Sequence, residues 1–169
     1  MTSSCNARPM RFILFAIGLF VLAGCGFHLR GPQPLAFSTI HIGAGQYSPL
    51  GVALRRQVAL SGSTKVEEDP AKAETKLVIL ANQRSREILS LTATGRVREY
   101  ELTQLIRFSL VDTQGKELLV PTSLTVRREY TFDDEQVLGK EQEELLLFED
   151  MQNDLVRQMM RRLAVWRRP

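Results

Sequence analysis

The chain has 169 residues, 44% of them hydrophobic, and a formal net charge of +3. This is enough apolar sequence for one domain with a buried core, and no internal repeat or low-complexity segment interrupts it. Basic residues outnumber acidic ones only 22 to 19, which is too small an excess to indicate a nucleic-acid partner.

The first 24 residues have the order of charged and apolar residues that is typical of a secretion signal. Arg8 and Arg11 precede the apolar run of residues 12–22, and two small residues follow it. As a helix this run would span about 16 Å, which is roughly half the thickness of the hydrocarbon core of a bilayer. It is therefore too short for a typical transmembrane helix. We therefore predict a signal peptide over residues 1–24.

The end of this segment, Leu22-Ala23-Gly24-Cys25, resembles a bacterial lipobox. The resemblance implies cleavage before Cys25, a diacylglyceryl group on its sulfur and an acyl group on its new amino terminus, which together would anchor the protein permanently. Gly26 follows instead of an aspartate, which under the sorting rule of such lipoproteins favours the outer membrane. The alternative is a plain signal peptide in which Cys25 is incidental. Because Cys5 would be removed, no disulfide is expected in the mature chain.

The start of the mature chain, Cys25-Gly26-Phe27-His28-Leu29-Arg30-Gly31, is similar to that of the LPS-assembly lipoproteins of the outer membrane. These are the small partners of the β-barrel that translocates lipopolysaccharide (LPS). The resemblance implies a lipid-anchored protein on the periplasmic side that forms a plug inside this barrel and assists LPS insertion at the outer leaflet. Weaker local matches lie at Gly95…Glu99-Tyr100 and Gln136…Lys140.

The residues after the anchor divide into a tether and one domain. Residues 25–35 contain Pro32 and Pro34 and are predicted to form an extended tether that begins at the lipidated cysteine. Residues 36–169 are predicted to form a single domain. The alternating residues 37–42 predict its first strand, and Ser48-Pro49 predicts the N-cap and first position of a helix. Residues 65–73 are predicted to be a loop after a short extended piece.

About sixty residues of predicted β structure follow. The apolar run at 77–81 favours a strand covered on both faces, which continues to Leu91 with a bulge or bend in its polar middle, residues 82–87. Residues 98–111 predict a half-buried strand in which Gln104 and Leu105 break the alternation. A last strand is predicted at 118–132, where Pro121 indicates an edge position or a bulge. The residues expected on the inner face of these two strands are Tyr100, Leu102, Ile106, Phe108, Leu110, Leu118, Val120, Leu124, Val126, Tyr130 and Phe132.

A long helix is predicted from Gly139 to Trp166, with Asp133 and Asp134 as possible caps. Its apolar stripe would consist of Leu145, Phe148, Met151, Leu155, Met159, Leu163 and Trp166. The order β-α-β-β-β-α predicts an α+β fold, with two helices packed on one face of a mixed sheet of about four strands. The other face would stay open and polar, and it would carry Glu99, Glu101, Arg107, Arg127 and Glu129.

The residues that could perform catalysis or bind a metal are few. His28 and His41 are the only histidines, they lack ligand spacing, and no nucleophile elbow or phosphate-binding loop is present. The run from Asp133 to Glu135 is interpreted as a helix cap in preference to a metal site. We therefore predict no enzyme activity, no metal and no cofactor other than the covalent lipid.

Binding is the predicted activity. Arg96 and Arg98 flank a turn, and Lys140 lies near the start of the long helix. Such side chains bind phosphates and acidic sugars through charge-assisted hydrogen bonds. We hypothesise that these three residues contact LPS or the barrel lumen; the alternative is that they are solvated surface charges. For the whole protein, the alternative function is a generic lipid-anchored periplasmic scaffold or binding module without a role in LPS assembly.

Overall fold

The computed structural model of the protein describes residues 34–166. The predicted signal peptide, Cys25, His28 and most of the predicted tether lie outside the described residues. Within them the elements are β1 (Thr39–Gly43), α1 (Pro49–Ser61), β2 (Lys65–Val66), β3 (Thr75–Leu91), β4 (Val97–Asp112), β5 (Glu117–Thr131) and α2 (Val137–Val165).

The strands form one mixed sheet in the order β2-β1-β3-β4-β5. Strand β1 is parallel to β2 and to β3, as expected for strands joined across a helix, and β3, β4 and β5 form an antiparallel meander. The predicted α+β architecture is confirmed. The sheet has five strands because the short extended piece after α1 pairs with β1.

Helix α1 begins where its sequence predicts and ends at a glycine. The Ser48 hydroxyl accepts a hydrogen bond from the Gly51 amide at 3.0 Å, Pro49 occupies the first turn, and Gly62 ends the helix with a positive φ of 70°. Its buried face consists of Leu50, Gly51, Leu54 and Val58. Just beyond the helix, the Ser63 hydroxyl accepts from the Leu35 amide at 3.0 Å, which fixes the point where the chain enters the domain.

Helix α2 buries a stripe that differs from the predicted one at its N-terminal end. The buried residues are Phe148, Met151, Gln152, Leu155, Val156, Met159 and Leu163. Leu145 is exposed, so its predicted burial is wrong. Glu144 lies seven residues before Met151 and therefore continues the stripe, whereas Leu145 is turned about 100° to the side. The N-cap is Gln136, and Asp133 instead accepts from the Glu135 amide at 3.0 Å in the preceding turn.

Strand β3 differs from its prediction in two ways. Leu80 is exposed, so the run at 77–81 is not covered on both faces. The polar middle pairs regularly with β4, and the register shifts fall on either side of it, between Ile79 and Ala81 and between Ile88 and Ser90. The middle stays regular because its inward side chains, Asn82, Arg84 and Arg86, have polar or aromatic partners on β4 and α2.

Strand β4 keeps its alternation through Gln104. This side chain is fully buried between Leu102 and Ile106, and its Nε2 donates to Asn82 Oδ1 at 3.3 Å. Gln104 thus breaks the apolar pattern, as the sequence indicated, without breaking the strand: a polar residue takes an inner position.

Strand β5 confirms the inference from Pro121. It lies at the edge of the sheet, and its register with β4 shifts between the pairs Phe108–Thr122 and Leu110–Leu119. This irregularity takes Val120 out of the alternation, and Val120 is exposed where an inward position was predicted.

The contact of Gly51 with its surroundings gives a test of α1 packing. A Cβ at Gly51 would collide with the Gly45 carbonyl oxygen and lie 2.8 Å from Arg55 Nη1. We expect Gly51→Ala to lower the free energy of unfolding by about 1–3 kcal/mol, measured by urea denaturation. Gly139→Ala is the matched control. A Cβ there meets nothing within 4 Å, and alanine favours a helix by about 0.5–1 kcal/mol. Equal effects of the two substitutions would contradict this packing.

Candidate functional site

The predicted basic residues of the β3–β4 turn lie at the end of the sheet where α2 begins. The turn is closed by a 2.8 Å hydrogen bond from the Thr92 amide to the Arg96 carbonyl, and the Phe132 amide donates to the Arg98 carbonyl at 2.9 Å. The turn and the loop before α2 therefore meet at one end of the domain. We call this end the tip; it comprises residues 88–98 and 132–140.

The three predicted cations of the tip have different surroundings. Arg96 Nη1 lies 3.2 Å from Asp134 Oδ2, which ties the turn to the loop before α2. Lys140 Nζ lies 2.8 Å from Glu143 Oε2 on its own helix. Arg98 is exposed and forms no ion pair with any residue between 34 and 166. Surface ion pairs of this kind contribute about 0–1 kcal/mol, so an anionic ligand could exchange with them.

The position of Lys140 over the sheet follows from the packing of α2 on β3. Arg86 Nη1 lies 2.8 Å from Glu144 Oε2. Lys140 lies one helical turn before Glu144, and Ile88 lies two residues after Arg86 on the strand. These steps are about 6 Å and about 7 Å in the same direction. Lys140 is therefore placed close to the Ile88 end of β3, at the same tip as Arg96 and Arg98.

A cluster that the sequence reasoning missed fastens α2 to the sheet beside the tip. We call Arg86, Tyr100, Tyr130 and Glu144 the carboxylate cluster. The Tyr130 hydroxyl donates to Glu144 Oε2 at 2.6 Å, and Arg86 donates to the same oxygen. The Arg86 guanidinium lies 4.6 Å above the centre of the Tyr100 ring, and this ring stacks on that of Tyr130. One carboxylate thus joins β3, β5 and α2.

The carboxylate cluster shifts the protonation of its members. Burial, assisted by the hydrogen bond to the Glu144 carboxylate, raises the pKa of Tyr130 to about 12. The hydrogen bond to Glu144 also raises the pKa of Arg86 above its ordinary value. Tyr130 therefore remains a neutral donor and Arg86 a cation at all physiological pH values, and the cluster acts as a fixed structural unit.

A cleft lies between the two helices. It has a volume of about 510 Å³. Its lining mixes apolar and charged side chains: Pro49, Val52, Ala53, Arg56, Gln57, Leu60, Arg84, Leu145, Glu149, Gln152, Asn153 and Val156. Arg84 closes its floor, with its guanidinium 5.1 Å from the centre of the Phe148 ring and Nη2 donating to Gln152 Oε1 at 3.1 Å.

The outer face of the sheet is polar, as its alternation predicted. Glu101 lies opposite Glu129 across β4 and β5, and the neighbouring Arg127 approaches Glu101 with its Nε 4.0 Å from Oε1. Arg107, Arg127 and Glu129 are exposed, so neither described helix covers this face. It offers hydroxyl, carboxylate and guanidinium groups to solvent or to a polar partner.

Metal ligands do not cluster in the described part of the chain. Between residues 34 and 166, no group of three or more His, Cys, Asp or Glu side chains is placed to hold an ion. His41 Nδ1 lies 3.1 Å from the Glu67 carbonyl oxygen, which is a contact between β1 and the segment after β2. Neither of the two helices in this range is long and apolar enough to cross a bilayer.

Comparison with known proteins decides the family. Residues 37–163 match the model of the LptE family, described as lipopolysaccharide-assembly. The chain belongs to the LptE family. This confirms, at the level of the family, the resemblance drawn from residues 25–31. The roles of Cys25, Arg96, Arg98 and Lys140, and the absence of enzyme activity, remain predictions.

Individual members of the LptE family match most of the chain. The LPS-assembly lipoprotein LptE of Pectobacterium atrosepticum is 28% identical over 158 residues, covering 90% of this chain and 85% of that protein. The protein of the same name from Yersinia enterocolitica is 28% identical over 160 residues, covering 92% of this chain and 76% of that protein.

Solved structures support the same fold. Lipoprotein B of Nitrosomonas europaea is 35% identical with a TM-score of 0.68, over 82% of this chain and 90% of that one. Rare lipoprotein B of Shewanella oneidensis is 23% identical with a TM-score of 0.65, over 75% of this chain and 94% of that one.

The raised pKa of Tyr130 gives a pH-dependent test of the carboxylate cluster. Between pH 10 and about 12 the unfolded chain loses the tyrosine proton and the folded chain keeps it. Stability is therefore lost as the pH rises through this window, by about 2 kcal/mol from this group. We expect Tyr130→Phe to be less stable than wild type at pH 8, because a hydrogen bond to a carboxylate is lost. The difference should shrink toward pH 12. The control is Tyr47→Phe, at a tyrosine that is 89% exposed. If the free energy of unfolding of Tyr130→Phe ran parallel to that of wild type across this pH range, the assignment would be refuted.

Proposed function

We propose that the protein is a lipid-anchored outer-membrane lipoprotein that forms a plug-type complex with the LPS-exporting β-barrel. The acylated Cys25 would hold it on the periplasmic side of the outer membrane, and the domain would support LPS assembly and insertion at the outer leaflet. The observation that carries this proposal is the LptE family match over residues 37–163, to which the geometry of the sheet and of the tip adds physical support.

The plug interaction is supported by the open polar face of the sheet. The lumen of a large outer-membrane barrel is polar and wet. A sheet face with Glu101, Arg107, Arg127 and Glu129 can hydrogen-bond to such a wall directly or through water. An apolar face of this size would instead need an apolar partner.

Contact with LPS is supported by the tip. LPS carries phosphates and acidic sugars, which guanidinium and ammonium groups bind through charge-assisted hydrogen bonds. Arg96 and Arg98 lie on one hairpin, and Lys140 lies on the first turns of α2 at the same end. A single phosphorylated sugar could therefore meet cations from both elements.

Copurification tests the plug complex. A C-terminally tagged chain is purified from outer membranes in mild detergent, and the mass and amount of each component that copurifies with it are measured. We expect one large β-barrel in equal amount that survives a salt wash, and a chain mass that shows acylation at Cys25. A chain that comes alone, with the acylated mass, would refute the plug and favour a generic lipid-anchored module.

A pair of charge reversals locates the plug contact. Arg107→Glu with Arg127→Glu reverses two charges on the outer face of the sheet, with position 127 beside Glu101 and Glu129, and we expect less barrel to be recovered. Arg56→Glu with Arg161→Glu makes the same change in charge at exposed positions on the two helices, which pack on the opposite face of the sheet, and is the matched control. Equal recovery from both variants would exclude the outer face as the contact.

Charge reversal of the tip tests the LPS contact. We expect Arg96→Glu, Arg98→Glu and Lys140→Glu together to weaken binding of purified LPS by at least about tenfold, because charge-assisted hydrogen bonds are replaced by repulsion. The control reverses Lys65, Lys116 and Arg161, which are exposed at the opposite end of the domain. Binding that is unchanged in the tip variant, or equally weakened in both, would refute a specific role for these residues.

A further inference from the structure

The tip carries exposed apolar side chains next to its cations. Ile88, Leu89 and Leu91 at the end of β3 are 58%, 47% and 55% exposed, and Leu138 in the first turn of α2 is 83% exposed. Single exposed aliphatic residues are common, but a group of them at one end of a small domain marks a contact surface. The tip also carries Asp133, Asp134 and Glu135 beside its three cations, and none of these charged residues explains the exposed apolar side chains.

Two opposed bulges shape this surface. The cross-strand pairs run Ile88–Tyr100, Ser90–Glu99 and Leu91–Val97, so Leu89 on β3 and Arg98 on β4 have no partner in the hairpin ladder. Between them the Ser90 hydroxyl donates to Glu99 Oε2 at 2.5 Å, which holds the intervening pair in register. Bulges of this kind take a side chain out of the regular alternation and re-aim it. Here they displace one apolar residue and one basic residue within the same turn of the hairpin.

The chemistry of this surface fits a ligand that is both anionic and acylated. Arg98 has no acidic partner between residues 34 and 166, and Arg96 shares only an exposed pair with Asp134. Anionic groups are therefore favoured beside the hairpin, while Leu89 and Leu91 require apolar surface to leave water. A purely polar sugar would leave the leucines unexplained, and a neutral apolar wall would leave Arg98 desolvated without a partner.

We propose that the β3–β4 hairpin binds the acyl chains of LPS, with Ile88, Leu89 and Leu91 on the chains and Arg96 and Arg98 on the adjoining phosphates. This inference rests on the proposed LPS contact and extends it from the charged groups to the lipid. It makes the tip selective for acylated LPS over the same phosphorylated sugars without their chains. The other candidate occupant, an apolar wall of the barrel, is separated from it by the experiments below.

A binding comparison tests the selectivity. The full chain is reconstituted in phospholipid nanodiscs and titrated with purified LPS and with LPS whose acyl chains have been removed by alkali. We expect wild type to bind the acylated form at least about tenfold more tightly, and Leu89→Ser with Leu91→Ser to lose most of that preference while retaining its affinity for the deacylated form. Val120→Ser with Leu60→Ser, at exposed aliphatic residues outside the tip, is the matched control and should behave as wild type.

The outcomes separate this inference from the proposed function. If wild type binds both forms equally, the acyl contact is refuted and the phosphate contact stands. If wild type binds neither form, both are refuted. If the leucine variant keeps the full preference for acylated LPS, the chains bind elsewhere and the hairpin assignment is wrong.

Photo-crosslinking in intact cells gives an answer that does not depend on the serine variant folding. A benzophenone amino acid is placed at Leu91 or, as a control, at Val120, which is 65% exposed at the other end of the sheet. We expect a crosslink to LPS from position 91 and none from position 120. A crosslink from position 91 to the barrel alone would overturn the proposal and identify the barrel wall as the occupant.

Discussion

One shared carboxylate fixes the N-terminal half of α2 on the sheet. Glu144 accepts hydrogen bonds from Arg86 on β3 and from Tyr130 on β5, and apolar packing alone would not fix the register of a 29-residue helix on three long strands. Because the hydrophobic effect is non-directional, a stripe of methionine and leucine could slide by a turn at modest cost. A shared, half-buried carboxylate cannot slide without leaving two donors unpaired. The position of Lys140 at the tip, one turn from Glu144, depends on this contact.

The architecture could be predicted from periodicity, because each long element buries one face. The alternation of β4 and the spacing of Phe148, Met151, Leu155 and Met159 predict the sheet and its covering helix, and the caps of α1 are local signals. The polar layer could not be predicted this way. Gln104 occupies a position that the pattern reserves for an apolar residue, and its partner Asn82 is 22 residues away along the chain. Such pairs become visible only once the strands are in register.

The same limit applies to the candidate site. The cations of the tip could be chosen from the sequence because they flank a turn and a helix start. The exposure of Leu89 and Leu91 could not be predicted from the sequence, because an apolar residue at the end of a strand is ordinarily expected to be buried. Both residues lie at a pair of register shifts within four residues of the turn, and shifts of that kind leave no periodic signal. The two halves of the tip, charged and apolar, therefore become one surface only in the folded hairpin.

The chain enters the domain at Leu35, bonded to Ser63 beyond the end of α1, and this is the end opposite the tip. Strand β3 alone has 17 residues, which corresponds to about 55 Å of extended chain, somewhat more than the full thickness of a bilayer with its headgroups. The described domain thus has the point of chain entry at one end and its amphiphilic surface at the other. Adding or removing two residues on each strand of the β3–β4 hairpin would move that surface by about 7 Å without altering the core.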